Sequence, residues 1–188
     1  MRRFAFILLC LAPPAVVLAG GCGFFDPFHT TFDDVEPAET YAAKRPQPVE
    51  PPGDAIRVAT YNVKFGGARV EFFWECPGDR VNLSESEVEE NLANLADAIE
   101  RVDADVLLLQ EVDVVSKRVA YIDQVEWLVE HTDYNHGVYA SQWKSDYIPS
   151  DGVGRTNSGN VILSKWPIED AKRIALPLIE QQGGLEQY

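Results

Sequence analysis

The chain has 188 residues, of which 46% are hydrophobic and 24% are charged. This composition excludes a disordered chain and a fibrous protein, and the length suits one domain once the terminal segments are set aside. Thirty acidic residues against sixteen basic ones give a formal net charge of -14. That charge opposes the counterion release that drives nonspecific binding to nucleic acids, so a long polynucleotide is disfavoured as the substrate.

The first 22 residues have the pattern of an export signal. A positive Arg2-Arg3 pair precedes an apolar run from Phe4 to Val17, and small residues stand directly before Cys22. This arrangement resembles a bacterial lipobox, in which the cysteine is acylated and becomes the new N-terminus. We expect a lipoprotein-type signal peptide at residues 1–22. Cleavage after Ala19 and retention as an uncleaved anchor are the alternatives, and all three imply export.

Cysteine usage agrees with an exported single domain. Cys10 would leave with the signal and Cys22 would carry the lipid, so Cys76 would be the one thiol of the folded part. No intrachain disulfide is therefore expected. We expect Cys76 to be a small buried residue, and the nearby Phe72-Phe73-Trp74 run to belong to the core.

A Pro-rich segment precedes the expected domain. It is predicted to be a semi-extended tether over residues 23–54, because few large apolar residues accompany its prolines. Its part from Val35 to Asp54 contains Pro37, Pro46, Pro48, Pro51 and Pro52.

The folded domain is predicted to span residues 55–188 and to begin with a strand. The stretch from Ile56 to Val63 is short, rich in β-branched residues and followed by a glycine pair, which indicates a strand that enters a loop. Apolar residues then recur at three- and four-residue intervals from Val88 to Val102, and this spacing predicts an amphipathic helix. Ser84 and Glu87 form a capping box at its start.

A second group of elements follows this helix. The apolar run from Ala104 to Gln110 suits a strand buried on both faces. The spacing from Tyr121 to His131 is compatible with a second helix, and Gly137 to Ser141 and Gly159 to Lys165 are typical of strands. A last strand is predicted at Lys172 to Leu176. Buried strands mixed with two amphipathic helices indicate a layered α/β domain.

Two polar residues stand where predicted strands end. Asn62 follows the strand from Ile56, and Glu111 follows the apolar run that ends at Gln110. If the two strands are neighbours, both side chains lie at one edge of the sheet, where ligands bind in such sheets. Amide and carboxylate oxygens are ligands that Mg²⁺ accepts. Residues in such positions are also commonly solvated or capping residues, so the pattern leaves both interpretations open.

Three motifs occur in a particular order along the domain. They are Tyr61-Asn62 after an apolar strand, Asp105 to Val112 with its Leu-Gln-Glu element, and Ser158 to Ile168 with its Gly-Asn-Val-Ile-Leu-Ser element. Together they resemble the DNase-I-like endonuclease/exonuclease/phosphatase family, from about Ile56 to the chain end. The resemblance implies a four-layer α/β sandwich of two packed sheets flanked by helices. It also implies hydrolysis of phosphate esters with a divalent metal, Mg²⁺ or Mn²⁺.

The resemblance carries over to individual residues. Glu111 matches the family's metal-binding glutamate, and Asn62 matches its first-strand asparagine near metal and phosphate, so both are assigned to metal binding and catalysis. Tyr139 and Asn160 fall near the strands that wall the family's cleft, and packing explains them equally well. Arg155 is placed to reach a phosphate from its loop, although exposed loop arginines are commonly only solvated.

The chain also departs from the family's pattern. Lys64 stands where the abasic-site nuclease branch has an aspartate, which argues against DNA repair. The family's Asp-x-Asn and Ser-Asp-His-like elements have no counterpart before Tyr188, and His131 and His136 flank an ordinary helix-to-strand connection. We expect the chain to be the N-terminal part of a domain whose C-terminal half is missing, and to be inactive as that fragment.

The leading interpretation is a metal-dependent phosphoesterase of the cell envelope that acts on phosphodiesters or phosphomonoesters. Acidity and export favour a phosphorylated small molecule or a phospholipid headgroup over nucleic acid, with the membrane reached through the lipid anchor. The alternative from another class is a noncatalytic envelope lipoprotein that uses the same fold for ligand binding. The sequence carries no signal for an oligomeric state.

Overall fold

The computed structural model describes residues 32–148 and 150–177. The predicted signal peptide, with Cys22, lies outside the described residues, as does the first part of the predicted tether. Within the described residues, no helix is long and apolar enough to cross a bilayer.

The described residues form a mixed α/β fold. Each strand and helix predicted from Ile56 onward is present, and two further strands precede them. The elements are β1 (Val35–Pro37), β2 (Glu39–Ala42), β3 (Val58–Asn62), α1 (Glu85–Val102), β4 (Val106–Asp113), α2 (Gln124–His131), β5 (His136–Ile148), β6 (Gly154–Ser164) and β7 (Lys172–Ile174).

Five of the strands form one sheet in the order β2-β5-β6-β4-β3. β3 and β4 are parallel, because the chain returns through α1 between them, and the other neighbours are antiparallel. The parallel register pairs Asn62, the last residue of β3, with Gln110, and β4 continues from there to Asp113. β1 and β7 form a separate two-stranded antiparallel sheet.

The core lies between the two helices and the five-stranded sheet. α1 begins at the capping box of Ser84 and Glu87, as predicted, and directs its apolar stripe at the sheet. Burying one apolar side chain of the size of valine or leucine contributes about 1.5–3 kcal/mol of transfer free energy. The buried residues include Ile99, Leu107, Leu109, Val125, Leu128, Val161 and Leu163.

β4 differs from the expected strand with two buried faces. Leu107 and Leu109 are buried, whereas Val106 and Leu108 on the opposite face are half-buried. Ile162, which pairs with Leu108, is 39% exposed. The helices cover one face of the sheet here, and a continuous apolar run does not report which face a helix covers.

The part of the predicted tether from Val35 onward takes part in the fold. β1 pairs with β7, and β2 pairs with β5. After β2, the backbone nitrogen of Gln47 donates to Asn135 Oδ1 at 2.7 Å, and the indole of Trp166 donates to the carbonyl of Glu50 at 2.8 Å. Composition does not predict these contacts, because short edge strands and extended segments bind largely through their backbone groups and need few large apolar side chains.

The loop between β3 and α1 contains both core and surface aromatic residues. Phe72 is completely buried, as expected, but Trp74 is 47% exposed. Cys76 is exposed rather than buried, because it follows the last buried ring of the loop and lies outside the core. The expectation of a buried thiol is therefore wrong.

Candidate active site

Asn62 and Glu111 lie side by side where β3 and β4 reach the edge of the sheet. Asn62 Nδ2 donates to Glu111 Oε1 at 2.8 Å, and Asn62 Oδ1 accepts from the backbone nitrogen of Lys64 at 2.9 Å. Both side chains are exposed. The structure thus brings together the two residues that the sequence predicts for the site.

Glu111 has a left-handed backbone conformation. Its φ is 56°, which is uncommon for a residue with a Cβ atom. The pairing of β4 with β6 shifts between Leu109 and Val112, so Glu111 lies in a bulge that interrupts the regular alternation of side chains. Bulges of this kind re-aim side chains next to active sites. Holding such a conformation costs about 1–3 kcal/mol, which the surrounding structure must offset.

The donor set fits a hard divalent cation with one protein carboxylate. Among the described residues no group donates a hydrogen bond to Glu111 Oε2, whereas Oε1 is held by Asn62. No group of three or more His, Cys, Asp or Glu residues in ranges 32–148 and 150–177 could hold a metal ion. Mg²⁺ keeps several waters and commonly binds through one or two carboxylates plus substrate phosphate. Glu111 therefore suits direct ligation, and Asn62 suits orienting Glu111.

A buried ion pair follows Glu111 in the chain. Arg118 Nε lies 2.7 Å from Asp113 Oδ2, and its second terminal nitrogen lies 2.8 Å from Asp113 Oδ1. The side chains of Arg118 and Asp113 are 8% and 0% exposed. The guanidinium carbon also lies 3.9 Å from the centroid of the Phe65 ring, within the range of a cation–π contact. Two parallel charge-assisted hydrogen bonds fix this geometry.

Gln124 joins the same two segments. Its Nε2 donates to the carbonyl of Phe65 at 2.8 Å, and its Oε1 accepts from the backbone nitrogen of Asp113 at 3.0 Å. We call Phe65, Asp113, Arg118 and Gln124 the buried clamp. The clamp links the loop after Asn62 to the strand that carries Glu111, so it fixes the separation of the two site residues.

Sequence patterns do not reveal the buried clamp. Arg118 lies in a turn between β4 and α2, and Gln124 begins α2, so no helical or strand period relates them. The available signal was an aspartate two residues after Glu111 in an otherwise apolar stretch. A buried carboxylate of this kind requires a cationic partner.

The remaining candidate residues have other surroundings. Tyr139 is buried, and its hydroxyl donates to Asn157 Oδ1 at 2.8 Å. Burial raises the pKa of the Tyr139 phenol well above its usual value, so this side chain is a neutral hydrogen-bond donor. Asn160 is exposed on β6. Arg155 is exposed and lies 3.9 Å from Asp146, and neither it nor Asn160 lines the cleft beside Glu111.

A cleft of about 280 Å³ opens beside Glu111. Its lining combines one exposed carboxylate, the edge of the buried clamp and three aromatic rings. The lining residues are Phe65, Trp74, Glu111, Arg118, Gln142, Trp143 and Ser158.

A larger cavity of about 540 Å³ lies elsewhere, against the segment Gln47 to Pro51. Its cationic residue, Lys165, forms ion pairs of 3.1 Å with both Asp103 and Asp105. The cavity contains neither Asn62 nor Glu111, and its one cationic residue is already paired. We therefore place the candidate site at the smaller cleft.

The chain is similar to one solved structure and to one family model. No curated protein matches the chain. A solved structure, the endonuclease/exonuclease/phosphatase from Beutenbergia cavernae DSM 12333, is similar with 20% identity and a TM-score of 0.39. The match covers 60% of this chain and 26% of that one, so the chain spans about a quarter of that protein's length.

A family model matches the greater part of the chain. The model of the Endonuclease/Exonuclease/phosphatase family matches residues 59–185, a range that includes Asn62 and Glu111. Members of this family are generally metal-dependent hydrolases of phosphoesters or nucleic acids, and they generally use divalent metals such as Mg²⁺. This chain belongs to the Endonuclease/Exonuclease/phosphatase family.

Proposed function

We propose that this protein is a metal-dependent phosphoric ester hydrolase in which Glu111 binds the catalytic cation. The observation that carries the proposal is the exposed Glu111 carboxylate, which a bulge holds at a φ of 56° and Asn62 orients through one oxygen. A strained, oriented acid at a sheet edge beside a cleft has the features of a site built for a ligand.

The residues have separate roles in this proposal. A bound divalent cation would polarise a phosphoryl oxygen and stabilise the charge that develops during displacement. Glu111 supplies the anionic oxygen that holds the cation. Asn62 keeps Glu111 Oε1 in place and leaves Oε2 for ligation, and the backbone nitrogen of Lys64 holds the Asn62 amide in turn. The buried clamp keeps the two strand ends at a constant separation.

The substrate and location are part of the same proposal. The net charge of -14 favours a phosphorylated small molecule or a phospholipid headgroup over a nucleic acid, because a polyanion would be repelled. The signal-like residues 1–22 favour an exported protein held at the bacterial envelope. Mg²⁺ is the proposed ion, with Mn²⁺ as the substitute of similar ligand preference.

The site assignment is tested by removing the charge of Glu111 while keeping its shape. In the purified protein, Glu111→Gln should lower Mg²⁺-dependent hydrolysis of bis(p-nitrophenyl) phosphate by roughly a hundredfold or more. The glutamine still accepts from Asn62, so the thermal midpoint should stay close to that of the wild type. Glu89→Gln, an exposed acid on α1, is the matched control and should leave turnover unchanged.

The other outcomes separate the competing interpretations. Turnover by Glu111→Gln close to that of the wild type would show that Glu111 is not part of the catalytic site. A wild-type protein that binds Mn²⁺ and a phosphate ester but hydrolyses neither diesters nor monoesters would establish the noncatalytic binding lipoprotein instead. Double-stranded DNA belongs in the same assay, and we expect no hydrolysis of it.

A further inference from the structure

Aromatic rings form much of the wall of the cleft beside Glu111. Phe65, Trp74 and Trp143 line it, and neither tryptophan has a role in the proposed metal chemistry. Phe65 is buried, whereas Trp74 is 47% exposed. A tryptophan ring left half in water at the mouth of a cleft forgoes a large apolar burial. Its position therefore calls for an explanation from ligand binding.

The Trp74 ring is held by three aromatic neighbours. It stacks on Phe72 with ring centroids 5.1 Å apart and an interplanar angle of 13°. It also makes edge contacts with Phe65 at 5.9 Å and with Phe73 at 4.9 Å. Because Phe72 covers one face of the indole, the exposed surface belongs to the rest of the ring. The result is a flat, rigid platform at the cleft.

The loop that carries Trp74 is anchored by charged and backbone contacts. Lys64 Nζ lies 2.7 Å from Glu75 Oε1 and donates to the carbonyl of Val70 at 2.9 Å. The backbone nitrogen of Phe72 donates to Glu75 Oε2 at 2.8 Å. The hydrogen bond from Lys64 lowers the pKa of Glu75, so the carboxylate stays charged at neutral pH. The platform is therefore formed before a ligand arrives, which reduces the entropy lost on binding.

The charges of the cleft leave little attraction for a second anionic group. Glu111 and Arg118 are the charged residues of the lining. The Arg118 charge is balanced by the bidentate contact with Asp113. A phosphate bound through a metal ion at Glu111 thus has aromatic side chains beside it rather than an unpaired basic side chain. Such side chains suit a flat, uncharged ring.

We propose that this cleft binds an aromatic ring of the substrate, stacked on Trp74, while the phosphate group lies at Glu111. The inference rests on the proposed function and narrows its substrate class. The preferred substrates are phosphate esters whose alcohol carries a planar aromatic ring, either an aryl group or a nucleobase, rather than esters of glycerol or of a simple sugar. Trp74 is the specificity-determining residue.

The test measures binding, so it does not depend on turnover. The full-length protein with Mg²⁺ is titrated with phenyl phosphate, adenosine 5′-monophosphate, ribose 5-phosphate and glycerol 1-phosphate, and binding is followed by calorimetry. We expect at least one of the two esters with an aromatic ring to bind about tenfold more tightly than both esters without one, as base stacking on an aromatic residue commonly gives. Tighter binding of adenosine 5′-monophosphate than of ribose 5-phosphate, which lacks the base, would identify a nucleobase as the preferred ring. Tighter binding of phenyl phosphate would identify an aryl group.

A variant series assigns the preference to one ring. Trp74→Leu should abolish the tenfold preference and leave the affinity for ribose 5-phosphate unchanged, because leucine can pack on Phe72 but offers no platform. Trp74→Phe should retain part of the preference. Trp166→Leu, which changes a tryptophan of the other cavity, is the matched control and should retain all of it. Circular dichroism confirms that each variant is folded.

Three results would overturn the inference in distinguishable ways. Equal affinity of the wild type for esters with and without an aromatic ring would refute the aromatic subsite and leave the proposed function standing. Absence of binding by every ester in the presence of Mg²⁺ would refute the proposed function, and the subsite with it. A preference that survives in Trp74→Leu would likewise refute the role of this ring.

Discussion

Arg118 and Asp113 form an ion pair from which water is nearly excluded, with side-chain exposures of 8% and 0%. The pair behaves differently from the surface pair of Lys44 and Glu126, whose side chains are 68% and 54% exposed. Exposed pairs contribute little because water and salt screen them. Removing one partner of a buried pair leaves the other charge without solvent or counter-charge, and the resulting loss is large.

We therefore expect Arg118→Leu to lower the free energy of unfolding by about 3–5 kcal/mol. Urea unfolding followed by circular dichroism measures this change. Adding Asp113→Asn to Arg118→Leu should recover part of the loss, because the remaining buried group is then neutral. Lys44→Leu is the control and should change stability little. An Arg118→Leu protein as stable as the wild type would show that the clamp does not hold the site together.

At the scale of elements, the start of α1 combines a cap with an ion pair. The backbone nitrogen of Ser84 donates to Glu87 Oε2 at 2.8 Å, and a terminal nitrogen of Arg80 donates to the same oxygen at 2.8 Å. The Arg80 hydrogen bond, followed by those from Ser84, lowers the pKa of Glu87 from its usual 4.5 to about 2. The carboxylate thus keeps its charge far below the pH at which an unfolded chain would take up the proton.

The lowered pKa predicts how stability depends on pH. Because Glu87 binds its proton less readily in the folded state, its contribution is complete above the unfolded value of 4.5 and is lost as pH falls toward about 2. The wild type should therefore lose more stability between about pH 6 and about pH 3 than Glu87→Gln, which retains the cap but cannot titrate. Urea unfolding at both pH values measures the difference.

The matched control for this experiment is Glu89→Gln. Glu89 lies on the same helix but takes no part in the cap. This variant should lose as much stability on acidification as the wild type. The other carboxyls with lowered pKa values, Glu75, Asp103 and Asp105, are present in all three proteins and cancel in the comparison. Identical losses in Glu87→Gln and the wild type would contradict the assignment.

At the scale of the whole molecule, the N-terminal residues are proposed to hold the protein at a membrane. Cys22→Ser should release it from the membrane fraction, because the acylated cysteine is replaced by a residue that cannot carry the lipid. Mass spectrometry of the mature wild type should show an acylated N-terminus at Cys22. Cys76→Ser, which changes the exposed thiol of the loop, is the control and should leave localisation unchanged. An unmodified N-terminus at Gly20 would establish simple secretion.

Local patterns in the sequence were sufficient for most of the elements. The helix α1 was predicted with its cap, because the apolar period and the two capping residues are properties of one short stretch. Strands β3 and β4 and the helix α2 were predicted for the same reason. β1 and β2 were not, because their pairing with β7 and β5 uses backbone groups of residues far apart in the chain. A proline-containing polar segment carries no local sign of such partners.

The sequence by itself therefore determined the α/β class, the family motifs, and the placement of Asn62 and Glu111 toward the carboxyl ends of two strands, although both residues lie within the strands rather than after them. Only the tertiary structure decided that these strands are parallel neighbours, that a bulge turns Glu111 toward Asn62, and that the buried clamp supports both. The hydrogen bond between the site residues joins positions 49 apart, and the one between Gln124 and Phe65 joins positions 59 apart. Contacts over such separations depend on how whole elements pack, which the periodicity of one segment does not encode.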